Sequence, residues 1–130
     1  MIFCIVGPVG SGKSTISNYI SQNYEHDYFK IYECDSTRFF NTEDIRKEIL
    51  RHRHLGESRI VIFEVTSYRD VPPWAKKNID QWIFTRESDF EIYYNNVSER
   101  FKQLHKNTPY SSIWVDTRKN LNCFQLPISV

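Results

Sequence analysis

Nine consecutive residues near the start of the chain have the types and spacing needed to hold a phosphate chain. They run GPVGSGKST and fit the pattern G-x-x-x-x-G-K-[ST]. Glycines let the backbone approach a phosphate closely and present N–H groups to it. The Lys13 ammonium would reach the β- and γ-phosphates, and the Ser14 hydroxyl would be a Mg²⁺ ligand. The stretch therefore predicts a site for a nucleoside triphosphate, taken as ATP, with Mg²⁺. The predicted nucleotide-binding residues are Gly7, Pro8, Val9, Gly10, Ser11, Gly12, Lys13, Ser14 and Thr15.

The elements on either side of this stretch agree with a phosphate site. An apolar run, Ile2 to Val6, precedes it and predicts a central strand that is buried on both faces. A helix is predicted from about Gly12 to Gln22, and its N-terminus would add free N–H donors and the positive end of the helix dipole. A glycine-rich turn between a strand and a helix, with no ligand, is the alternative interpretation.

Acidic residues in two later strands could complete the site. Residues 28–35 predict a second strand that ends at Asp35, which we expect to hold Mg²⁺ through a water molecule. Glu33 competes with Asp35 because residues two apart lie on the same strand face. A third strand, Arg59 to Val65, carries Glu64 as another candidate for the catalytic carboxylate. The sequence leaves open which of these acids polarises the attacking water.

Basic residues end a predicted amphipathic helix that begins after Asn41 or Thr42. The last four residues of that segment are Arg51-His52-Arg53-His54. Cations are favoured at a helix C-terminus by the helix dipole, which is the ordinary explanation for such an ending. The functional alternative is that Arg51 or Arg53 enters a neighbouring subunit's nucleotide site as an arginine finger, or contacts a DNA phosphate.

The remaining chain continues the alternation of strands and helices. A short helical turn and a fourth strand, Gln81 to Thr85, precede a long amphipathic helix that begins near Ser88. A fifth strand, Tyr110 to Val115, is followed by residues 122–126, which could return beside it as an antiparallel edge hairpin. We predict one domain over residues 1–130. Its fold class would be α/β, a three-layer sandwich around a mostly parallel sheet of about five strands.

Composition limits the other classes of protein. The formal net charge is +1, from 17 basic and 16 acidic residues, so a DNA partner would need a local basic patch. The three cysteines lie far apart in apolar stretches, which favours reduced core thiols. No run approaches the roughly twenty apolar residues of a membrane span, and the first apolar run is too short for a signal peptide. We expect a soluble, intracellular protein.

The order of these elements resembles the genome-packaging ATPases of DNA viruses, a branch of the FtsK/HerA superfamily. The likeness continues to a helix and strand that end at Asp116 and covers most of the chain, but only the phosphate loop is specific by itself. The features that carry it are the phosphate loop, the strand ending at Asp35, the Arg51–His54 segment, the strand tip at Glu64 and Thr66, and the segments Tyr68–Pro72 and Lys76–Asn78.

The resemblance implies a minimal P-loop NTPase that hydrolyses ATP and translocates double-stranded DNA into a viral capsid. Its partners would be other copies in a ring of six, DNA bound through its phosphates, and a capsid or portal protein. It would act in the infected host cell and could accompany the virion. Thr66, which stands where the family has a sensor Gln, would sense the γ-phosphate, and Lys76 and Lys77 are candidates for DNA contacts.

Two departures from the family pattern support other functions. Ser36 follows Asp35, so the paired acids usual in the family are absent, and Lys76 replaces the first residue of an Arg-x-Asn motif. A nucleotide-dependent assembly factor without efficient turnover is therefore one alternative. A small nucleoside or nucleotide kinase is the other, because the phosphate loop and the later acid of Asp35-Ser36-Thr37-Arg38 are similar to that family.

Overall fold

The computed structural model describes residues 1–34, 37–51, 58–85, 111–116 and 121–125. Strands and helices alternate along the first 84 residues, and two further strands follow. The strands are β1 (Ile2–Val6), β2 (Tyr28–Cys34), β3 (Arg59–Val65), β4 (Gln81–Phe84), β5 (Ser111–Asp116) and β6 (Leu121–Gln125). The helices are α1 (Lys13–Asn23), α2 (Glu43–Arg51) and α3 (Pro73–Lys76), with short 3₁₀ turns at Thr37–Asn41 and Tyr68–Asp70.

The six strands form one sheet in the order β2-β3-β1-β4-β5-β6. The first four strands in that order run parallel to one another. β5 is antiparallel to β4, and β6 is antiparallel to β5, so the predicted hairpin at the C-terminal edge is confirmed. β1, which leads into the phosphate loop, lies near the centre between β3 and β4, and every one of its residues is buried.

Helices cover both faces of the sheet, as a three-layer α/β sandwich requires. On one face, Ile16 and Ile20 of α1 pack with Phe3 and Ile5 of β1. On the other face, residues of α2 and α3, among them Ile49, pack with alternate residues of β1 and β3. The alternation follows from the strand geometry, because successive side chains point to opposite faces. The predicted fold class is confirmed.

Most predicted element boundaries agree with the structure within one residue. α1 begins one residue later and ends one residue later than predicted. Thr42 precedes α2, and its hydroxyl donates to the carbonyl oxygen of Phe39 at 3.0 Å. The predicted helix that begins near Ser88 lies outside the described residues. None of the described helices is long and apolar enough to cross a membrane.

Candidate nucleotide-binding site

The phosphate loop turns sharply between β1 and α1 because two of its glycines adopt left-handed backbone angles. Gly10 has φ 79° and Gly12 has φ 94°, values that side chains other than glycine rarely tolerate. The Ser11 amide donates to the carbonyl oxygen of Pro8 at 3.2 Å and closes the turn. Gly12 directly precedes the first residue of α1. The loop therefore delivers the chain to the helix N-terminus, where free N–H groups favour an anion.

The first glycine of the loop is required for a different reason, which is close packing. A Cβ atom on Gly7 would lie 1.8 Å from Thr85 Oγ1 and 2.6 Å from Ser11 Oγ. The Gly7 amide donates to the carbonyl oxygen of Val65 at 3.0 Å, so the loop leaves β1 in contact with the end of β3. The loop is therefore fixed between the carboxyl ends of three neighbouring strands.

The lysine of the motif is directed back over its own loop. Lys13 Nζ donates to the carbonyl oxygen of Gly7 at 2.8 Å and to that of Val65 at 3.4 Å. Both acceptors belong to the carboxyl ends of parallel strands, which is where ligands bind in open α/β sheets. The ammonium is thus positioned above the point where β1 and β3 end.

A cavity of about 600 Å³ lies beside the loop, a volume within the range of small-molecule sites. It unites side chains that the sequence predicts for the site and that belong to the phosphate loop, α1, β2, β3 and the turn after β3. Its lining residues are Val9, Gly10, Gly12, Lys13, Ser14, Glu33, Cys34, Glu64 and Thr66. The sequence-predicted residues Lys13, Ser14, Glu33, Glu64 and Thr66 therefore share one cavity.

The two carboxylates of this cavity differ in their surroundings. Glu64 is 6% exposed although it interrupts the apolar stretch of β3 that follows Arg59, and its Oε2 accepts a hydrogen bond from Ser17 Oγ at 2.6 Å. Glu33 is exposed. The two residues are register partners on β2 and β3, so they stand next to each other in the sheet. A buried carboxylate needs such a donor, because burial without a hydrogen bond is costly.

The residues of this cavity fit a magnesium ion. Mg²⁺ prefers oxygen ligands and is usually bound by one or two carboxylates together with substrate phosphates. The Ser14 hydroxyl and the Glu33 carboxylate supply oxygens of that kind around one cavity, and Glu64 adds a second negative charge beside them. Among the described residues, no cluster of three or more His, Cys, Asp or Glu side chains forms a metal site of its own. The fit therefore depends on oxygens that a bound nucleotide would add.

Other predicted site residues lie elsewhere or outside the described chain. Arg51 is exposed at the last residue of α2 and lines a separate cavity of about 540 Å³ with Lys30, Lys47 and Arg59. It does not line the cavity beside the phosphate loop. Asp35 and Arg53 lie outside the described residues, so their predicted roles stay predictions.

The two candidate DNA-contacting lysines have different surroundings. Lys76 Nζ lies 3.9 Å from the centroid of the Tyr68 ring, and burial lowers the pKa of this amine. Lys77 is exposed. A cation held against an aromatic ring is less available to a phosphate than a solvated one, so Lys77 is the better candidate for a DNA contact.

Two residues near the phosphate loop are absent from the residues predicted to form the site. Cys34 lines the cavity, and Ser17 anchors Glu64. Ser17 follows Ser14 by three residues, and residues at that spacing share a helix face. That spacing was the available signal, but a serine inside a helix has many ordinary explanations.

Comparisons with known proteins agree with this architecture. No family model and no curated protein matches the sequence. Among solved structures, the chain is similar to the DNA-packaging ATPase B204 from Sulfolobus turreted icosahedral virus, with a TM-score of 0.64 and 14% identity over 98% of each chain. It is also similar to the genome packaging NTPase B204 from Sulfolobus turreted icosahedral virus 2 in complex with ATP-gammaS (TM-score 0.62, 15% identity, 97% of each chain). The complex of that protein with AMPPCP gives a TM-score of 0.62 at 14% identity over 98% of each chain. The chain therefore has the fold of the viral genome-packaging NTPases across nearly its whole length.

Proposed function

We propose that this chain is an ATP-hydrolysing DNA translocase that packages a viral genome into a capsid. The observation that carries the proposal is the cavity beside the phosphate loop, where Lys13 and Ser14 meet the carboxylates of Glu33 and Glu64. The same cavity lies on a fold shared with a genome-packaging NTPase that was solved in complex with two different ATP analogues. The likeness in fold supports a genome-packaging NTPase, and the residues that line the cavity support ATP binding and hydrolysis.

Binding of the triphosphate would depend on the loop and the first turn of α1. Backbone N–H groups of the loop and the helix N-terminus would surround the β-phosphate. Lys13 would contact the β- and γ-phosphates as a compact charge. It would exchange its present contacts with the carbonyl oxygens of Gly7 and Val65 for contacts with the nucleotide. No new element would have to form.

Hydrolysis would use the carboxylates at the ends of β2 and β3. A carboxylate in this position would orient a water molecule toward the γ-phosphate, and Thr66, at the tip of β3, would sense that phosphate. Mg²⁺ held through Ser14, with Asp35 or Glu33 nearby, would neutralise the charge that develops on the phosphate oxygens. The protein's contribution is therefore mainly orientation and electrostatics.

A ring of six copies would supply a transition-state cation from a neighbour. Arg51 is exposed and lies outside its own subunit's nucleotide cavity, which supports a role at another copy's site. The guanidinium group is suited to this role because it carries several N–H donors in a fixed plane. Arg53 stays a second candidate.

DNA contacts would be made to phosphates and not to bases. The net charge of +1 gives no global attraction to DNA, so the contacts must come from local cations such as Lys77. Such contacts would be independent of base sequence, as packaging of a whole genome requires. A capsid or portal protein in the infected cell would be the docking partner of the ring.

Phosphate release from MgATP, measured with and without double-stranded DNA, tests the proposal. We expect DNA to stimulate phosphate release. We also expect the rate of release per subunit to rise with protein concentration as the ring assembles. Lys13→Ala should abolish turnover, whereas Lys47→Ala, on the exposed face of α2, should retain it. A monomer that phosphorylates nucleosides would instead identify a kinase. Nucleotide binding without turnover would identify an assembly factor.

A further inference from the structure

The hydrogen bond between Ser17 and Glu64 joins the nucleotide-binding helix to the strand beside the phosphate loop. Ser17 is 1% exposed and Glu64 is 6% exposed, and the O–O distance is 2.6 Å. The other oxygen, Oε1, accepts no hydrogen bond within the described ranges of the chain. One carboxylate oxygen is thus fixed by a hydroxyl, and the other is left for a ligand.

Glu64 also lies at the junction of two cavities. The second cavity, of about 480 Å³, is lined by Ser14, Ser17, Asn18, Ile31, Glu33 and Glu64. It shares Ser14, Glu33 and Glu64 with the cavity beside the phosphate loop. Both cavities are wide enough to hold water. Glu64 is therefore within reach of water in a cavity that residues of α1 also line.

Glu33 cannot replace Glu64 in orienting a water molecule. Its side chain is exposed, and no hydroxyl in the described part of the chain holds its carboxylate. A group that positions a reactant must itself be held in place by its surroundings. Of the two acids, Glu64 alone meets that requirement, while Glu33 next to it adds a second negative charge that favours a cation in the cavity.

We propose that Glu64 is the catalytic base of ATP hydrolysis and that Ser17 is the positioning residue that aligns it. The inference rests on the proposed ATP hydrolysis and does not require DNA translocation. The two acids stand on adjacent strands, β2 and β3, instead of following each other along one strand. Their pairing across the sheet supplies the second acid that the strand ending at Asp35 lacks, since Asp35 is followed by Ser36.

In the proposed hydrolysis, Glu64 accepts a proton from the water molecule that attacks ATP. A water oxygen attacks the γ-phosphorus and forms a new P–O bond while one water proton passes to Glu64. The bond between the γ-phosphorus and the oxygen that bridges to the β-phosphate breaks, and its electron pair stays on ADP. The proton on Glu64 then returns to solvent through water. ATP and water become ADP, inorganic phosphate and one proton.

Steady-state ATP hydrolysis and binding of a fluorescent ATP analogue, measured on the same set of variants, test the assignment. Glu64→Gln should lower kcat by about 100-fold or more, the size expected for removal of a general base. Ser17→Ala should lower kcat by about 10-fold with an unchanged Kd for the analogue. Ser17→Thr, which restores a hydroxyl, should recover most of the lost kcat. Ser21→Ala, one turn further along α1 and outside both cavities, is the matched control.

The double variant separates positioning from general structural damage. If Ser17 acts only through Glu64, Ser17→Ala combined with Glu64→Gln is no slower than Glu64→Gln alone. Multiplicative losses in the double variant, or near-normal turnover by Glu64→Gln, overturn the assignment. If the wild-type protein hydrolyses ATP but DNA does not stimulate it, translocation is rejected and the assignment of Glu64 and Ser17 can still be tested. Wild-type protein that releases no phosphate rejects both proposals.

Discussion

Arg59, the first residue of β3, donates a hydrogen bond from Nη2 to Glu48 Oε1 of α2 at 3.1 Å. The two side chains are only 17% and 15% exposed. The same guanidinium stacks on Tyr28 of β2, with Cζ 3.7 Å from the ring centroid. The pair therefore links three elements at the end of the sheet opposite the phosphate loop, where it can stabilise the fold without touching the nucleotide site.

Arg59→Leu should lower the free energy of unfolding by about 1.5–3 kcal/mol, because it leaves the Glu48 carboxylate without its charged donor in a poorly solvated place. The exposed pair Lys47–Glu43 provides the comparison, with side chains 52% and 81% exposed. Lys47→Gln should cost about 0.3–0.5 kcal/mol. Urea unfolding of the two variants measures both values, and equal losses would show that burial of the Arg59–Glu48 pair adds nothing.

Gly7→Ala should destabilise the protein more than Gly10→Ala, although Gly10 has the unusual backbone angle. The added Cβ at Gly7 would overlap Thr85 Oγ1 at 1.8 Å, whereas nothing lies within 4 Å of a Cβ at Gly10. We expect a loss of about 3 kcal/mol at Gly7 from overpacking and about 1 kcal/mol at Gly10 from backbone strain.

Thermal or urea unfolding compares the two glycine variants directly. Thr85→Ala removes the overlapping oxygen and should recover part of the Gly7→Ala loss, at the expense of the hydrogen bond from Thr85 to the carbonyl oxygen of Val6. A larger loss at Gly10, or no recovery with Thr85→Ala, would contradict the steric explanation.

The thiols of Cys4 and Cys34 should be unreactive in the folded protein. Both are buried, and burial raises the pKa of the Cys4 thiol well above its ordinary value, so little nucleophilic thiolate exists at Cys4. In a Cys123→Ser background, a thiol reagent should label neither cysteine until urea unfolds the chain. Rapid labelling of the native variant would contradict the burial of these residues.

The raised Cys4 pKa also predicts a direction for the pH dependence of stability. The folded state holds the Cys4 proton more tightly than the unfolded state does. The stability that the buried, neutral thiol contributes is therefore complete below the ordinary thiol pKa of about 8.5 and declines as the pH rises above it. Urea unfolding of a Cys4→Ala variant and of wild type at pH 7 and pH 9.5 measures this difference. An equal decline in both proteins would show that Cys4 contributes none of it.

The fold and much of the layout of the candidate site could be predicted from the sequence because those features follow from local patterns. The apolar run Ile2–Val6, the loop motif and the helical spacing of Ile16 and Ile20 each specify their element without long-range information. The carboxyl ends of parallel strands meet at one edge, so residues at the ends of β2 and β3 could be expected near Lys13.

The pairing of Glu64 with Ser17 could not be predicted in the same way. These residues are 47 positions apart, and their contact depends on β3 lying directly beside β1 and under α1. A sequence pattern does not specify that strand order. The same limit applies to Glu33 and Glu64, whose alignment in the sheet follows from the register between β2 and β3.

Mixed rings should reveal whether Arg51 acts on a neighbouring subunit. Arg51→Ala alone and Lys13→Ala alone should each be inactive. In an equal mixture, about a quarter of the subunit contacts would combine an intact Arg51 with an intact Lys13, so turnover should reappear. Arg53→Ala is measured in the same way, because either arginine could serve. Full activity of both single arginine variants, or no recovery in rings shown to be mixed, would contradict an arginine finger in trans.

Displacement of a third strand from a DNA triplex tests ATP-driven translocation most directly. The assembled protein is loaded on a long duplex that carries a triplex-forming oligonucleotide at one end, and release of that oligonucleotide is followed after ATP is added. We predict release that requires hydrolysable ATP, that is delayed in proportion to the length of duplex travelled, and that Lys13→Ala abolishes. ATP hydrolysis by the wild-type protein on this DNA without displacement of the third strand would contradict the proposed translocation.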